Sequence, residues 1–504
     1  MSKEVARYGM LEITLPRTTQ APEEIPEAYF TCGEEQVHIR GFAENEDHGT
    51  VRFMPMTEGA WTYRVTWGTA QVEGAFHCSA AVCHGPVRTK GCHFQYDDGT
   101  PFIPVGTTCY AWIHQEPQVI ADTLETLKDA PFNKMRMCIF PKSMMYNQND
   151  PAFYPFEKNA DGAWDVHRPD LRYWAHLDNC LRALADLGLE ADLILFHPYD
   201  RWGFSQMTQE ENLIYLDYAL RRLAAYHHVW WALSNEYEFS FKKTLEDWDQ
   251  FGETIAAEDP YHHLISAHNW ITPYPKRPWL SHVSYQGGNP RDAFHIRVAY
   301  DLPVLVDEIG YEGDIEPFWG NLSGFELMHR TWTTTAFGCY AAHGETFHRE
   351  DEVLWWAKGG KLYGQAPARL RFLRTFLESL PGPMEPACLG VVRDPNGLFD
   401  SANPFILNIL ENSGEKGQQK ILEEQTLPIG VHPDYKLIYL ERSARGLMTL
   451  DLPANGCYRV EIIDIWEMTR RLAVQNVRGQ IRIGLPGKEG IAVLITRLEG
   501  DPLH

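Results

Sequence analysis

The sequence predicts a (β/α)8 barrel flanked by an N-terminal and a C-terminal β-sandwich. Three observations favour this fold class. A chain of 504 residues has room for about three domains. Both ends alternate apolar and polar residues with the period of strands, and the middle alternates short apolar strands with amphipathic helices. We therefore expect domains at 1–88, 89–384 and 385–504.

The two ends have the patterning of antiparallel strands. In the N-terminal region, apolar side chains alternate with polar ones along 51–67, around a turn at Glu58 and Gly59. In the C-terminal region, the apolar runs YRVEIIDIW and QIRIGL are bounded by the turn-forming pairs Asn455-Gly456 and Pro486-Gly487. Each end is thus predicted to be a small sandwich.

The middle region contains eight strand candidates with helices between them. One helix has a stripe of leucines and Trp174 along one face from 171 to 184, and Gly188 is placed to end it. Eight such units over roughly 290 residues match the size of a (β/α)8 barrel. The predicted strands are FIPVGTT (102–108), NKMRMCIF (133–140), ADLILFH (191–197), VWWALS (229–234), HLISAHN (263–269), HVSYQ (282–286), PVLVDE (303–308) and GCYAAHG (338–344).

Composition excludes several classes of partner. Lys plus Arg number 45 against 68 Asp plus Glu, a net charge of −23 that repels nucleic acids and anionic membranes. The start MSKEVARYGM has no apolar run after its basic residues, so we expect no signal peptide. The sequence has no apolar run of about 18 residues, no metal-binding spacing and no nucleotide-binding glycine loop. The ten cysteines are scattered. We expect a cytoplasmic protein without cofactors, nucleic-acid partners or membrane contact; association into a homo-oligomer stays open.

Two predicted strands deliver glutamates to the end of a barrel where active sites lie. WWALSNEYEF places Asn235 and Glu236 after the fourth strand, and PVLVDE ends the seventh strand with Glu308. The two strands lie about three βα units apart, so the glutamates are expected to face each other across the barrel mouth. Cleavage of a glycosidic bond needs such a pair of carboxyl groups.

The Asn-Glu ending of the fourth strand and the Glu ending of the seventh resemble the strand ends of a clan of retaining (β/α)8 glycoside hydrolases. This clan includes cellulases, mannanases and β-galactosidases. The resemblance implies that Glu236 is the acid/base, Glu308 the nucleophile and Asn235 a ligand of the sugar 2-hydroxyl. It also matches Arg136, in NKMRMCIF, to an arginine beside the nucleophile. Tyr285 is matched to an aromatic residue that hydrogen-bonds the nucleophile, with Gln286 immediately after it.

The flanking regions extend this resemblance over most of the chain. FMPMTEGAWTYRVTW (53–67) resembles an N-terminal sandwich of unknown function, DUF5060, that precedes such barrels. NGCYRVEIIDIWEMT (455–469) resembles the C-terminal sandwich DUF5605 of the same architecture. Three matching segments in this order are more specific than the Asn-Glu pair alone.

Other polar or aromatic residues at strand ends are candidates for contacting the substrate. Trp112, His197 and His268 are placed to bind sugar hydroxyls or stack on a ring, although each is equally compatible with packing in the core. The eighth strand departs from the clan, since AAHGETF offers His343 and Glu345 where a tryptophan is common. Glu345 is expected to bind a hydroxyl group, with the nucleophile role as its alternative.

The predicted function is hydrolysis of a β-linked glycoside or oligosaccharide through a covalent glycosyl-enzyme intermediate, with exo-action. An inverting hydrolase or a transglycosylase with the same carboxylates is one alternative. A carbohydrate-binding protein without catalysis is another.

Overall fold

The computed structural model of the chain describes residues 3–18, 24–45, 47–388, 408, 412–417 and 427–498. It is a mixed α/β structure in which a central set of parallel strands lies between two β-rich ends. Within the described residues, no helix has the length and apolar character needed to cross a membrane. Nine cysteines are described with their side chains, and all nine are free thiols.

The N-terminal region contains two sheets in contact. The strand Leu11–Pro16 alternates buried and exposed residues along its whole length, as expected for a strand with one face in a core. Phe30 of one sheet stacks on Phe53 of the other with 3.9 Å between ring centroids. The sheet orders are β1-β8-β7-β3-β4 and β2-β6-β5, with β1 (Lys3–Ala6), β2 (Leu11–Pro16), β3 (Glu27–Cys32), β4 (Glu35–Arg40), β5 (Phe42–Ala43), β6 (His48–Phe53), β7 (Gly59–Trp67) and β8 (Ala70–Ser79).

A small antiparallel sheet follows, formed by β9 (Val87–Lys90), β10 (His93–Tyr96) and β11 (Pro101–Phe102). Its side chains Phe94 and Phe102 pack against Trp230, near the start of a central strand, at 5.4 and 5.9 Å between ring centroids. This sheet covers the amino ends of the central strands. The predicted first strand, 102–108, is therefore wrong in its first part, because Phe102 pairs in this sheet and the central strand begins at Gly106.

The central region has eight parallel strands paired in chain order. Five form one sheet and three form another. Single parallel bridges, His268 with Ser284 and Thr107 with His343, link the two sheets. The strands are β12 (Gly106–Thr108), β13 (Lys134–Cys138), β16 (Glu190–Phe196), β17 (Val229–Ser234), β18 (Ile265–Ser266), β19 (Val283–Gln286), β20 (Val304–Glu308) and β22 (Tyr340–Ala341).

Loops between these strands carry short two-stranded pairs: β14 (Phe156–Lys158) with β15 (Trp164–Pro169), and β21 (Glu312–Gly313) with β23 (Glu345–Thr346). Eight α-helices of the described chain belong to this region. They are α1 (Pro117–Asp129), α2 (Leu171–Asp186), α3 (Gln209–Leu223), α4 (Leu245–Glu258), α5 (Asp292–Tyr300), α6 (Gly324–Ala336), α7 (Trp355–Lys358) and α8 (Ala366–Glu378).

Local sequence signals explain where these helices begin and end. Thr208 and Thr244 start α3 and α4 with reciprocal capping boxes, formed with Glu211 and Asp247. After α2, Gly188 adopts a φ of +69°, the left-handed conformation expected of a glycine that ends a helix. The buried face of α2 includes Trp174 and the leucines at 177, 181 and 184.

The C-terminal region again contains two sheets. The larger has the order β24-β25-β26-β31-β28-β29 and the smaller pairs β27 with β30. Residues of both sheets share one apolar cluster, for example Leu450 with Ile462 and Val493. The strands are β24 (Glu385–Cys388), β25 (Pro428–His432), β26 (Tyr435–Tyr439), β27 (Leu447–Leu452), β28 (Tyr458–Asp464), β29 (Thr469–Val477), β30 (Gly479–Gly484) and β31 (Ile491–Arg497). The sandwich assignment of both ends and the three domain boundaries stay predictions.

Candidate active site

A cavity of about 540 Å³ opens at the carboxyl ends of the central strands. Glu236 follows β17 after Asn235, and Glu308 is the last residue of β20. Both carboxyl groups line this cavity, as does Asn235. The structure therefore brings together the two glutamates that the strand pattern selected, at the end of the strands opposite to the small covering sheet.

Glu236 lies in a constrained backbone conformation. Its φ of +47° is in the left-handed region, which non-glycine residues adopt only where the surroundings enforce it. The single 3-10 turn Tyr237–Phe239 starts immediately after it. The Glu236 backbone N–H donates to Nδ1 of His268 at 3.4 Å. The side chain accepts hydrogen bonds at Oε2 from the Tyr199 hydroxyl and from Asn235 Nδ2 at 3.3 Å.

The electrostatic environment of Glu236 favours its neutral form. Only 6 % of the residue is exposed. Burial, followed by the nearby charge of Glu308, raises the pKa of Glu236 to about 7, while Tyr199 and Lys142 act in the opposite direction. A carboxyl group with this pKa carries a proton over a large part of the neutral pH range. It can therefore serve as a general acid.

Glu308 has a hydroxyl donor, a histidine ring and the Arg136 cation around it instead. Its Oε1 accepts from the Tyr110 hydroxyl. Arg136 Nη1 lies 3.6 Å and His268 Nε2 3.9 Å from the same oxygen. The fully buried guanidinium of Arg136 is a fixed positive charge beneath the cavity, and it stabilises a carboxylate there.

A short series of contacts connects the two glutamates. Tyr110, which donates to Glu308, also lies 3.1 Å from Oδ1 of Asn235. Arg136 donates from Nη1 to that oxygen at 2.8 Å and to the Tyr110 hydroxyl at 3.0 Å. Asn235 in turn donates to Glu236. The position of each carboxyl group thus depends on the same three side chains.

Lys142 is a buried cation in the wall of the cavity, on the segment after β13. Its Nζ lies 3.3 Å from the ring centroid of Tyr110, 4.6 Å from that of Tyr199 and 5.2 Å from that of Trp356. Burial lowers the pKa of Lys142, and the charges of Glu308 and Glu236 oppose this effect. The ammonium group therefore contacts the two tyrosines whose hydroxyls bind the two glutamates.

Sequence reasoning missed several residues of this site. Tyr110 and Tyr199 follow β12 and β16 by two and three residues. The same strand-end criterion that selected the glutamates would have found both. Trp356 supplies an aromatic wall from α7, well beyond the eighth strand, where no local signal indicated it.

The predicted contact of Tyr285 with the nucleophile is wrong in this structure, since its hydroxyl donates to Asp292 at 3.2 Å. The pairing of β19 with β20 shifts by one residue after Tyr285, so that Gln286 lies opposite Glu308. Gln286 lines the cavity in place of the tyrosine.

Trp112 and His197 are packed in the core and are absent from the cavity lining. Trp112 is fully buried, and its Nε1 lies 2.9 Å from the sulfur of Met137. His197 has its Nε2 3.1 Å from the Phe140 carbonyl oxygen, and burial lowers its pKa to about 4. The structure therefore favours the alternative of core packing for both residues.

The three remaining candidates also have structural partners. His268 lies beneath the cavity, between Glu236 and Glu308. His343 is buried against Phe132 at 4.9 Å and lies 3.0 Å from the Thr107 hydroxyl. Glu345 accepts hydrogen bonds from the backbone N–H groups of residues 363 and 364, outside the cavity lining. Its predicted contact with a sugar hydroxyl is not supported by this placement.

The described part of the chain contains no group of three or more His, Cys, Asp or Glu side chains arranged to hold a metal ion.

Comparison with known proteins identifies the family. The apiosidase-like catalytic domain matches residues 88–347, and DUF5605, a domain of unknown function, matches 425–496. The C-terminal resemblance is thereby confirmed, whereas the N-terminal resemblance to DUF5060 stays a prediction. No curated protein matches the chain.

Solved structures agree with this family. One assigned as a glycoside hydrolase, from Bacteroides vulgatus ATCC 8482, is 31 % identical, covers 99 % of this chain and 100 % of its own, and has a TM-score of 0.85. A family 5 glycoside hydrolase from the same organism shares the fold at 14 % identity, with a TM-score of 0.60 over 84 % of this chain and 95 % of its own. The chain therefore belongs to the apiosidase-like catalytic domain family and is a glycoside hydrolase.

Proposed function

We propose that the protein is a retaining glycosidase that acts on β-linked glycosides, in a (β/α)8 barrel, with Glu308 as nucleophile and Glu236 as acid/base. One observation carries the proposal: the two carboxyl groups share a cavity but have different surroundings. Burial and the charge of Glu308 raise the pKa of Glu236 to about 7. Glu308 instead has the fixed positive charge of Arg136 3.6 Å away and accepts a hydrogen bond from the Tyr110 hydroxyl.

In the first step, an oxygen of Glu308 bonds to the anomeric carbon as the glycosidic C–O bond breaks. Glu236 transfers its proton to the departing oxygen, and the sugar is held as an ester of Glu308. In the second step, the Glu236 carboxylate removes a proton from water while the water oxygen bonds to the anomeric carbon. The ester bond to Glu308 breaks in the same displacement, and both groups return to their starting forms.

The surrounding residues have supporting parts in this mechanism. Tyr110 and Arg136 hold Glu308 in position and balance its charge. Asn235 donates from Nδ2 near the junction of the two carboxyl groups, where the 2-hydroxyl of a bound sugar is expected. The cavity volume of about 540 Å³ falls within the range of small-ligand sites. It supports exo-action on a terminal sugar.

The test is a panel of 4-nitrophenyl β-glycosides that includes the β-D-apiofuranoside, because the family description refers to apiosidase. Proton NMR of the first product formed identifies the anomer. A β product indicates retention, whereas an α product indicates the inverting alternative. Binding without turnover indicates a carbohydrate-binding protein.

The nucleophile is tested with Glu308→Gln, which removes the attacking oxygen while keeping the shape of the side chain. We expect kcat/KM to fall by about a thousandfold or more, since no covalent intermediate can form. Mass spectrometry of wild-type enzyme trapped with a 2-deoxy-2-fluoro glycoside should find the label on Glu308. Glu34→Gln, in an exposed turn, is the matched control. Near wild-type turnover by Glu308→Gln would remove this residue from the mechanism.

A further inference from the structure

An exposed aromatic surface borders the cavity on the side of Glu236. Phe239 and Trp270 both line the cavity, with 4.4 Å between their ring centroids. Phe241 adds a third ring, 6.1 Å from that of Phe239. Phe241 is 87 % exposed and Trp270 45 %. We call these three residues the rim platform.

Hydrogen bonds from backbone N–H groups to the Glu238 carboxylate hold the rim platform in place. The carboxylate of Glu238 accepts hydrogen bonds from three consecutive backbone N–H groups, those of Trp270 at 2.6 Å, Ile271 at 3.1 Å and Thr272 at 2.8 Å. These contacts join the segment after β17 to the segment after β18. The rings are thus presented to solvent on a fixed backbone. Contiguous exposed apolar surface is uncommon on proteins except where a ligand or a partner binds.

The position of the rim platform relative to the two glutamates identifies the part of a substrate that would reach it. Phe239 follows Glu236 by three residues. Trp270 follows His268, which accepts the Glu236 backbone N–H, by two. In the proposed mechanism the acid/base lies beside the leaving group, and the nucleophile lies beside the sugar that is retained. A group contacting these rings therefore belongs to the leaving group.

The chemistry of the rim platform favours an aromatic leaving group over a second sugar. Its surface consists of aromatic rings, extended by Ile271, which is 66 % exposed. Both oxygens of Glu238, the carboxylate between these residues, are occupied by backbone N–H groups. A sugar would need polar partners for its hydroxyls, whereas a planar aryl group gains contact area and favourable ring geometry.

We infer that the rim platform is a binding subsite for an aromatic aglycone, so that the enzyme prefers aryl glycosides to substrates with small or sugar leaving groups. This inference rests on the proposed function in taking Glu236 as the residue on the leaving-group side. Trp270 and Phe241 then determine specificity and take no part in bond cleavage.

The kinetic test compares two substrates with the same sugar: a 4-nitrophenyl glycoside and the corresponding glycosyl fluoride, whose leaving group cannot reach the rings. For Trp270→Ala and Phe241→Ala, kcat/KM on the aryl substrate should fall by about fivefold to tenfold and stay within twofold on the fluoride. Tyr29→Ala removes an exposed aromatic ring from the N-terminal region and should change neither. Equal losses on both substrates would overturn the inference.

A binding test separates this inference from the proposed function. Phenyl and methyl 1-thio-β-glycosides of each sugar in the panel are titrated calorimetrically into the wild-type protein and Trp270→Ala. Tighter binding of the phenyl compound by the wild type, lost in the variant, supports the subsite even if no glycoside is cleaved. Equal affinity for the two compounds, absence of binding by both, or faster cleavage of a disaccharide than of the aryl glycoside overturns it.

Discussion

At the scale of single residues, the backbone of Glu236 links conformation to chemistry. Its left-handed φ costs on the order of 1–3 kcal/mol, which the surrounding hydrogen bonds must offset. Burial lowers the pKa of His268 well below its usual value, so its ring is neutral and can accept the Glu236 N–H at Nδ1. The ring proton then sits on Nε2, which faces Glu308. One neutral histidine therefore holds the backbone of Glu236 and lies 3.9 Å from the Glu308 carboxyl group.

The acid/base role of Glu236 predicts a dependence on the leaving group. Glu236→Ala should lose little in the first step on a 4-nitrophenyl glycoside, which departs without a proton, and much more on an alkyl glycoside. Hydrolysis of the intermediate then limits turnover, because no base activates water. Added azide needs no base and should restore the rate and yield a β-glycosyl azide. Equal losses on both substrates without azide rescue would assign Glu236 to binding alone.

The cation of Lys142 should set the pH at which activity is lost. Because Glu236 must be protonated to act as an acid, kcat/KM should fall as the pH rises through about 7. Lys142 favours the charged form of Glu236, so Lys142→Met should raise the pKa of that carboxyl and move this limb of the profile to higher pH, by about 0.5 to 1. Lys142→Arg keeps the charge and should move it less. A limb that stays in place in Lys142→Met would contradict this role.

At the scale of elements, two carboxylates hold the start of α8. Glu345 accepts from the N–H groups of Tyr363 at 2.5 Å and Gly364 at 2.8 Å. Glu312 accepts from those of residues 365 and 366, at 2.8 and 2.9 Å. A Cβ on Gly364 would lie 2.3 Å from an oxygen of Glu312 and 2.6 Å from one of Glu345. The strand pair β21 and β23 thus supplies acceptors for four N–H groups before or within the first turn of a helix.

This arrangement predicts that Glu345 contributes to stability and not to substrate binding. Glu345→Ala leaves two N–H groups without their acceptor, at a cost of about 2 to 4 kcal/mol, and the Tm of this large protein should fall by about 2 to 5 °C. The kcat/KM of the folded enzyme at 25 °C should stay within about twofold. Gly364→Ala should lower the Tm as well, because the two carboxylates must move apart. A raised KM with unchanged Tm would restore the predicted contact with a sugar hydroxyl.

Particular elements show how far the sequence alone predicts this structure. VWWALS coincides with β17. A short apolar run that contains valine and tryptophan and lies between two helices favours a buried strand. The eighth strand is only Tyr340–Ala341, and the first begins after a separate β-strand, since tertiary pairing decides where an extended segment belongs. The positions of the two glutamates could be predicted because each lies at the end of a predicted strand. Trp356 lies in the cavity wall because of the path of a long loop, and no local sequence pattern predicts that path.

At the scale of the whole molecule, a buried ion group joins the N-terminal region to the central one. Arg52 of β6 donates to both oxygens of Asp178 in α2, at 2.7 and 2.9 Å. Arg222 of α3 donates to the same carboxylate at 2.6 Å, and Tyr226 adds a bond at 3.0 Å. The two regions also share one apolar core. We therefore expect them to unfold together.

Buried histidines and buried carboxyl groups change the stability of the folded protein with pH in opposite directions. Burial lowers the pKa of histidines that are neutral in the folded state: it is about 3 for His114, His228, His282 and His343, and about 4 for His197 and His227. The unfolded chain binds more protons below pH 6.5, so these groups make stability fall as the pH drops through that value. They set the acid side of the stability profile.

Four buried carboxyls act in the opposite direction, one of them Asp192, whose pKa burial also raises. Burial raises the pKa of Glu190 to about 8 and those of Glu236 and Glu345 to about 7. The folded protein holds their protons to higher pH than the unfolded chain does, so their contribution is lost as the pH rises from about 4.5 through these values. Below pH 6.5 the six histidines outweigh them, and above it the carboxyls act alone. The Tm should therefore be highest near pH 6.5.

Glu190 offers a direct test of the alkaline side of the stability profile. Its side chain is buried, and an amide side chain can keep the hydrogen bond that it accepts. Its Oε2 accepts from Trp230 Nε1 at 3.0 Å, and the amide oxygen of Glu190→Gln can keep this bond. The variant no longer has to ionise a buried group, so the fall in Tm between pH 6.5 and 9 should be shallower and its Tm at pH 9 should exceed that of the wild type. Glu34→Gln should follow the wild-type curve. Parallel curves for Glu190→Gln and the wild type would show that Glu190 ionises without a folding cost, and the alkaline loss would then belong to the other carboxyls and to the net charge of −23.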